Sequence, residues 1–431
     1  VTTIPATLTD RAGRQLTVHR AWPRDGGRLT FEAMDTDGGQ IRAGTIEVDG
    51  VVRLAPFAED PVLSGLPGAA ALGQLLVHRY KRRAVVRDDA GFTKLLAPGK
   101  AEGVAVAHRL MRTLAHRSGM VVPDVVVQHP DSVTLTAVHG TSLHELGQGS
   151  TAGRPVDGVS SRDGNAPSDG PGHDGGTDTS AGIGIPAETS TWDGADTWEG
   201  AGTWENAWQQ WAQRWPRLAV AQDRFEPGSV GPGSIGQGSV GPGSVGPGSI
   251  ALPAHTARDE CRTVARWVNQ VQEFEALPVA PARLQRASAQ VARLLISGVP
   301  QQAVLSHRDL HDKQLLFNPD SGVVGLIDCD TVAVAEPALD LANLLVHVDF
   351  RRAQGVYSAA AAQTAEQAVL TAADAIGVSD QRLEAYAAAT KLRLACLYAF
   401  RPQYRVLAHQ WFEGLEIKLA EIAAAQAYSP G

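Results

Sequence analysis

Between Ser306 and Phe317 the chain reads Ser-His-Arg-Asp-Leu-His-Asp-Lys-Gln-Leu-Leu-Phe, and Gly-Leu-Ile-Asp-Cys-Asp follows from Gly325 to Asp330. The first stretch is a loop carrying His-x-Asp, as His307 and Asp309, with an amide side chain, Gln314, five residues beyond the Asp. The second is an apolar strand that ends abruptly on carboxylates, Asp328 and Asp330, the first of them nineteen positions after Asp309. Phosphoryl transfer needs one carboxylate to orient the attacking hydroxyl. It needs a second carboxylate and an amide oxygen to hold Mg²⁺ against the phosphates of ATP. These two segments offer such groups in that order.

The elements that must position them follow from periodicity and turn chemistry. Residues 1–98 read mostly as β. Short runs at 15–19, 28–32, 45–48, 75–80, 84–87 and 91–96 are bounded by Gly and Asp, with hairpin signals at Asp37-Gly38-Gly39, Asp49-Gly50 and Asp88–Gly91. Helical spacing then takes over. Val104, Ala107, Met111 and Leu114 share one face of a helix predicted over 101–118, and Gly119 is its stop. A strand pair is expected at 125–127 and 133–136. Further helices are expected at 258–275, 280–297, 336–354, 358–376, 379–400 and 403–427. The chain thus divides into a β-rich extension or cap (1–70), a smaller β-rich lobe (71–138) and a mainly helical lobe (139–431).

The last of these is interrupted. Residues 150–253 hold 21 of the 45 glycines and include Gly-Ser-Val/Ile-Gly-Pro repeats, a composition that cannot bury enough apolar surface to offset its ordering entropy. Most of the segment is expected to be a disordered insertion. Residues 205–221 are the exception, because Trp208, Trp211 and Trp215 recur at helical spacing. They suit a short helix packed on the main body, or a lid.

Composition excludes several classes. The 431 residues carry a net charge of −8, of which the insertion, with twelve acids and five arginines, contributes −7, leaving the remainder near −1. That balance is no nucleic-acid footprint. The one basic cluster, His78-Arg79-Tyr80-Lys81-Arg82-Arg83, reads as a solvated sheet edge, with a phosphate-facing role as the alternative. The three cysteines are widely spaced and include no CxxC pair, which argues against a zinc site or a disulfide framework. No apolar run is long enough for a membrane span, and no signal peptide is visible, so a cytoplasmic location is expected.

Three motifs occur in a fixed order: His307-Arg308-Asp309-Leu310-His311-Asp312-Lys313-Gln314, then Ile327-Asp328-Cys329-Asp330, then Glu336-Pro337-Ala338-Leu339-Asp340-Leu341-Ala342. Together they resemble the aminoglycoside phosphotransferase and choline kinase superfamily of small-molecule kinases. That family's pattern is His-Gly-Asp-x-His-x-x-Asn, Ile-Asp-Trp/Phe and Asp-Pro-x-x-Asp-Leu-Ala. Gln314 in place of Asn is similar to the maltokinase-like branch, and Arg308 stands where the family has Gly. The resemblance implies an α+β, bilobal protein kinase-like fold and an ATP- and Mg²⁺-dependent kinase. It implies Asp309 as catalytic base, His307 as the brace of its loop, and Asp340 as a holder of the loop backbone. Asp328 and Gln314 would be metal ligands, and Asp330 either a third metal-site carboxylate or a loop residue.

Lys94 follows a strand and precedes a helix bearing Glu102, which matches the strand Lys and helix Glu pair that serves the nucleotide phosphates in kinase-like folds, with Lys100 as the rival lysine. Residues 132–138 would be the hinge against the adenine edge, with Gly140 opening the second lobe. There is no Asp-Phe-Gly, Ala-Pro-Glu or Gly-x-Gly-x-x-Gly, so the acceptor is expected to be a small molecule rather than a protein. An aminoglycoside, amino sugar, sugar or amino alcohol would fit. Asp312, Asp349 or Glu336 would then be candidates to meet a substrate amine. Tyr398, Phe400, Tyr404, Trp411 and Phe412 are read as core. The competing reading is a pseudokinase or nucleotide-binding regulatory module.

Overall fold

A computed structural model describes residues 4–35, 39–151, 200–221 and 252–428. The Gly-rich parts of the expected insertion, 152–199 and 222–251, and most of the turn expected at 37–39 lie outside the described residues.

The architecture is α+β, β-rich at the N-terminal end and helical beyond it, as expected. Strands β1 (Thr7–Thr9), β2 (Gln15–Arg24), β3 (Arg28–Asp35), β4 (Ile41–Ile46) and β5 (Val52–Leu54) form an antiparallel sheet in sequence order. A short helix absent from the sequence reading, α1 (Leu66–Leu72), leads to a second sheet. Its strands are β6 (Gln74–Arg79), β7 (Arg83–Asp88) and β8 (Gly91–Leu96). Helix α2 (Ala101–Ser118) and the short β9 (Met120–Val121) come next, followed by β10 (Val125–His129) and β11 (Ser132–Leu135). The order in this sheet is β10-β11-β8-β7-β6.

Period-two alternation gives the second sheet two faces. Leu75, Ala84, Val86 and Leu95 pack on Ile41, Leu63 and Leu66, which ties it to the first sheet and α1. Lys94 lies across from Val85 and Val133 on the other face. On that face Leu96, Val133 and Leu135 pack against Ala101, Val104 and Ala105 of α2. Helix α2 ends at Gly119, in the left-handed region at φ 78°, where its N–H meets the carbonyls of Ala115 and His116.

The helical part begins at Gly140. There φ is +139° and a Cβ would lie 2.7 Å from the Phe317 carbonyl oxygen, so only glycine lets the chain pass. Then come β12 (Thr141–Ser142), α3 (Leu143–Gln148), α4 (Gly200–Ala219), β13 (Ala254–His255), α5 (Ala257–Glu273) and α6 (Pro281–Ser297). Strands β14 (Val304–Ser306), β15 (Leu315–Asn318), β16 (Val323–Leu326) and β17 (Ala333–Ala335) precede α7 (Ala338–Ala353), α8 (Ala359–Ile376), α9 (Asp380–Tyr398) and α10 (Arg405–Tyr428). Two small sheets, β12-β15-β16-β9 and β13-β17-β14, present the motif loops. β14 runs into His307, the β15–β16 hairpin joins Gln314 to Asp328, and β17 leads to Glu336.

Two readings are decided by packing. Trp204, Trp208, Trp211 and Trp215 form one buried row along α4, with successive ring centroids 5.5, 5.6 and 6.1 Å apart. Trp204 also donates to the Ala361 carbonyl of α8. The helix is core, not a lid. The basic cluster is a solvated edge only at its turn, where Lys81 and Arg82 are exposed. His78 is buried against Asp60 at 3.0 Å, and Arg79 stacks over Trp22 of β2 at 5.0 Å, because the N-terminal sheet covers this end of β6.

The Trp208→Ala variant is expected to lose about 3–5 kcal/mol of unfolding free energy in a urea titration, the usual cost of emptying a buried Trp site. A loosely seated lid helix would give a change near zero.

Candidate functional site

The loop after β14 is held by its backbone. Asp340, in the first turn of α7, accepts the His307 N–H at 2.6 Å and the Arg308 N–H at 2.7 Å, one on each carboxylate oxygen. The His307 ring bonds the Ile327 carbonyl through Nε2 at 2.9 Å, and Thr331 Oγ1 donates to the His307 carbonyl at 2.8 Å. Asn343 Nδ2 donates to the Leu310 carbonyl at 2.7 Å. These bonds fix a conformation that resists unaided formation. Arg308 sits at φ 67° and Asp328 at φ 60°, in the left-handed region that disfavours side chains. Arg308 occupies the position where the resembling family carries Gly, and its φ gives the physical reason for a glycine there.

Asp309 is half-buried in this loop. Burial raises its pKa above the ordinary aspartate value; His311, Arg393 and His307 pull it down, and the nearby Asp328 carboxylate adds to the rise. A carboxylate so placed is a stronger proton acceptor than one in water.

Lys94 reaches the second motif loop. Its Nζ lies 2.8 Å from Asp328 Oδ1 and 2.5 Å from Asp330 Oδ1, with all three side chains largely out of water. Burial alone would lower the lysine pKa, but the two carboxylates outweigh it and raise the value. For Asp330, burial would raise the carboxyl, yet Lys94 and His108 hold it below its ordinary range.

The expected partner Glu102 is not there. It is exposed on α2, while Ala101, Val104, Ala105, His108 and Met111 line the buried face. Glu102 and His108 are six residues apart, which at 100° per residue sets them on different sides of the helix. The helix therefore presents His108, whose Nε2 is 3.2 Å from Asp330 Oδ1. Burial lowers the His108 pKa, so the neutral ring donates to the carboxylate. The Lys94–Glu102 pair is thus replaced by Lys94–Asp328 and Lys94–Asp330, with His108 as the contribution of α2.

Gln314 is buried, and its Oε1 has no hydrogen-bond partner among the described residues, while its Nε2 is 3.3 Å from His311 Nε2. A buried amide oxygen without a donor is costly unless something electropositive meets it. Gln314, Asp328 and Asp330 supply hard oxygen atoms, the donor set that suits Mg²⁺. Among the described residues, no three His, Cys, Asp or Glu side chains converge as a protein-only metal cage.

The acids expected to meet a substrate amine are engaged elsewhere. Asp312 is buried and bonded by Arg351 Nε at 2.9 Å, His144 Nδ1 at 2.7 Å and Tyr357 Oη at 2.8 Å. Glu336 takes both arms of Arg382, at 2.7 and 2.6 Å, and Asp349 pairs with Lys391 and Arg352. Burial would raise the Asp312 carboxyl, but Arg351 and His144 drive it well below its ordinary value. Asp312 therefore anchors the loop to α3, α7 and Tyr357. The missed residues, His108, Arg351 and Asn343, lie on buried helix faces, where a polar residue among apolar neighbours was the available signal.

Residues 247–376, which contain all three motifs, match the family model described as the phosphotransferase enzyme family. The resemblance read from His307 to Asp340 is shown over that segment. No curated protein matches the sequence. Among solved structures, a macrolide 2'-phosphotransferase from Brachybacterium faecium is similar at 16% identity, covering 79% of this chain and 98% of its own, with a TM-score of 0.36. A choline kinase from Cryptosporidium parvum Iowa II is similar at 7% identity over 83% and 91% of the two chains, TM-score 0.44. A choline/ethanolamine kinase family protein from Mesorhizobium loti is similar at 12% identity over 82% and 92%, TM-score 0.41. Identities this low transfer no residue role. Among the described residues, no helix is long and apolar enough to cross a membrane.

Asp312→Ala is expected to cost about 3–5 kcal/mol, because it strands the buried Arg351 guanidinium. Since the folded-state pKa of Asp312 is depressed, its contribution is complete above the unfolded carboxyl value of about 4 and is lost as pH falls below it. The gap between the melting temperatures of wild type and variant should therefore stay constant from pH 7 to about pH 5 and begin to narrow as pH falls below about 4.

Proposed function

We propose that the protein transfers the γ-phosphoryl group of ATP, with Mg²⁺, to a hydroxyl of a small polar molecule. The observation that carries this reading is the Lys94 ammonium on Asp328 and Asp330, with the Asp309 loop tied to the same segment through the His307–Ile327 bond and Asp309 close enough to feel the Asp328 charge. The match of residues 247–376 to a phosphotransferase family supports it.

In this reading Asp309 orients the acceptor hydroxyl and takes its proton, and His307 keeps the loop in place through the Ile327 carbonyl. Lys94 serves the nucleotide phosphates. Asp328 and Gln314, with Asp330, would hold Mg²⁺, which neutralises phosphate charge when bound. Val77, Val85 and Phe92 form a small apolar cluster on the Lys94 side of the sheet, a wall suited to the adenine ring, beside residues 132–138 as the hinge. The acceptor would be an aminoglycoside, an amino sugar or a sugar. The reaction and its solutes fit a cytoplasmic setting.

The test is ADP release from Mg·ATP across aminoglycosides, amino sugars, neutral sugars and amino alcohols. Asp309→Asn should lower kcat by about 10²–10⁴-fold with one acceptor class, the usual contribution of a general base. Unchanged turnover in that variant would remove Asp309 from its role. Nucleotide binding without turnover on any acceptor would favour a regulatory nucleotide-binding module.

Two further outcomes follow from the raised Asp309 pKa. Activity needs the ionised carboxylate, so kcat/KM should fall as pH drops through an acid limb lying above the ordinary aspartate value of about 4. A carboxylate with a raised folded-state pKa destabilises the fold at neutral pH, so Asp309→Asn should melt at or above the wild-type temperature.

A further inference from the structure

The end of the second sheet nearest Lys94 carries an accumulation of arginines that the phosphoryl-transfer groups do not use. Arg79 and Arg83 are cross-strand partners flanking the β6–β7 turn. Val77 pairs with Val85 and Val85 with Lys94, so strand alternation sets Arg79, Arg83 and Lys94 on one face. Arg83 Nη1 lies 3.8 Å from Asp330 Oδ2, which connects this end of the sheet to the metal loop.

The N-terminal sheet adds to the group. Arg20, Trp22 and Arg24 alternate along β2, and the Trp22 ring lies beneath both Arg79, at 5.0 Å, and Arg20, at 5.6 Å. Arg79 thus has Arg83, Arg24, Arg82 and Arg20 as like-charged neighbours, and burial followed by that crowding drives its pKa well down. Burial and Arg82 lower Arg24 to about 10.

The acids at hand do not balance this charge. Glu32 is engaged by Arg20 at 2.6 Å and by the His78 N–H at 2.8 Å. Asp60 accepts from the Lys81 N–H at 2.7 Å and meets His78. Asp25 next to Arg24 is exposed. Two buried guanidinium nitrogens, Arg79 Nε and Arg24 Nη2, have no hydrogen-bond acceptor among the described residues. Crowded, half-desolvated guanidinium groups with unused donors are costly in the free protein and well made for a polyanion with several acceptor oxygens. Arg24 also borders a cleft of about 490 Å³ lined by Arg262, Arg266 and other residues of α5.

We propose that Arg79 and Arg83, with Arg24 supplied by the N-terminal sheet, form an arginine clamp for the triphosphate of the donor nucleotide. The first sheet is on this view part of the nucleotide site. Trp22 orients Arg79, and the Asp60 bonds to His78 and Lys81 hold the turn. The inference rests on the phosphotransferase reading. It goes beyond that reading in assigning the phosphate contacts to a turn without glycine and to residues outside the two lobes.

The experiment is calorimetric titration of the full chain with Mg·ATP, adenosine and inorganic tripolyphosphate, using Arg79→Met, Arg24→Gln and the exposed Arg53→Gln as a charge control. Both clamp variants should weaken ATP and tripolyphosphate by roughly tenfold each, as expected for a lost charge-assisted contact. Adenosine should bind all forms alike, and Arg53→Gln should behave as wild type. The ligand-free clamp variants should melt at or above the wild-type temperature, since removing one guanidinium relieves like-charge crowding; a purely structural arginine would lower it. ATP binding unchanged in Arg79→Met and Arg24→Gln overturns the clamp while leaving the kinase reading intact. Parallel loss of adenosine binding and of melting temperature also overturns it. Tripolyphosphate binding to wild type without any nucleotide binding overturns both the nucleotide assignment and the kinase reading.

Discussion

One buried ammonium joins the two halves of this molecule. Lys94 comes from the third strand of the second sheet, and its Nζ lies within 2.8 Å of carboxylates from a loop more than two hundred residues later. Three buried charges in a small volume hold together only if each compensates the others, since an isolated charge there would cost several kcal/mol. The strand, helix α2 with His108, and the loop after β16 must therefore meet in register. That requirement sets the seam between β-rich and helical parts.

The same logic of enforced geometry governs the Asp309 loop. Left-handed backbone at Arg308 and Asp328 is unfavourable for residues with side chains. It persists because Asp340 grips two consecutive N–H groups and because His307, Thr331 and Asn343 bond the carbonyls of Ile327, His307 and Leu310. Asp312 then ties the loop to α3, α7 and Tyr357. Burial of Asp309 within this fixed loop is the main cause of its raised pKa.

The first sheet spans the seam from outside. Its β3 and β4 pack on the back of the second sheet through Met34 and Ile41. Its β2 reaches the helical part, where the Ala21 N–H bonds the Phe400 carbonyl at 2.9 Å and Gln403 bonds the His19 carbonyl at 3.1 Å. An element anchored to both halves limits their relative movement. It also brings Arg20, Trp22 and Arg24 to the β6–β7 turn, where no feature of β2 read alone would have put them.

Much of this was legible in the chain. The helix over 101–118 with its stop at Gly119, the late helices, the Trp spacing of α4 and the order of the three motifs all express local rules: apolar period, capping and backbone geometry. Such rules act over a few residues, so one sequence suffices to read them. The sequence also determined which residues have the types and spacings that suit phosphoryl transfer, since these lie within short loops. What it did not determine was pairing across long separations. Glu102 and His108 look equally available to Lys94 until the buried face of α2 selects one. Asp312, Asp349 and Glu336 look free until Arg351, Lys391 and Arg382 close on them. Arg79 reads as part of a solvated edge until Trp22 of β2 stacks on it. In each case the deciding quantity is desolvation. It depends on which distant surface a side chain meets, and only the tertiary structure sets that.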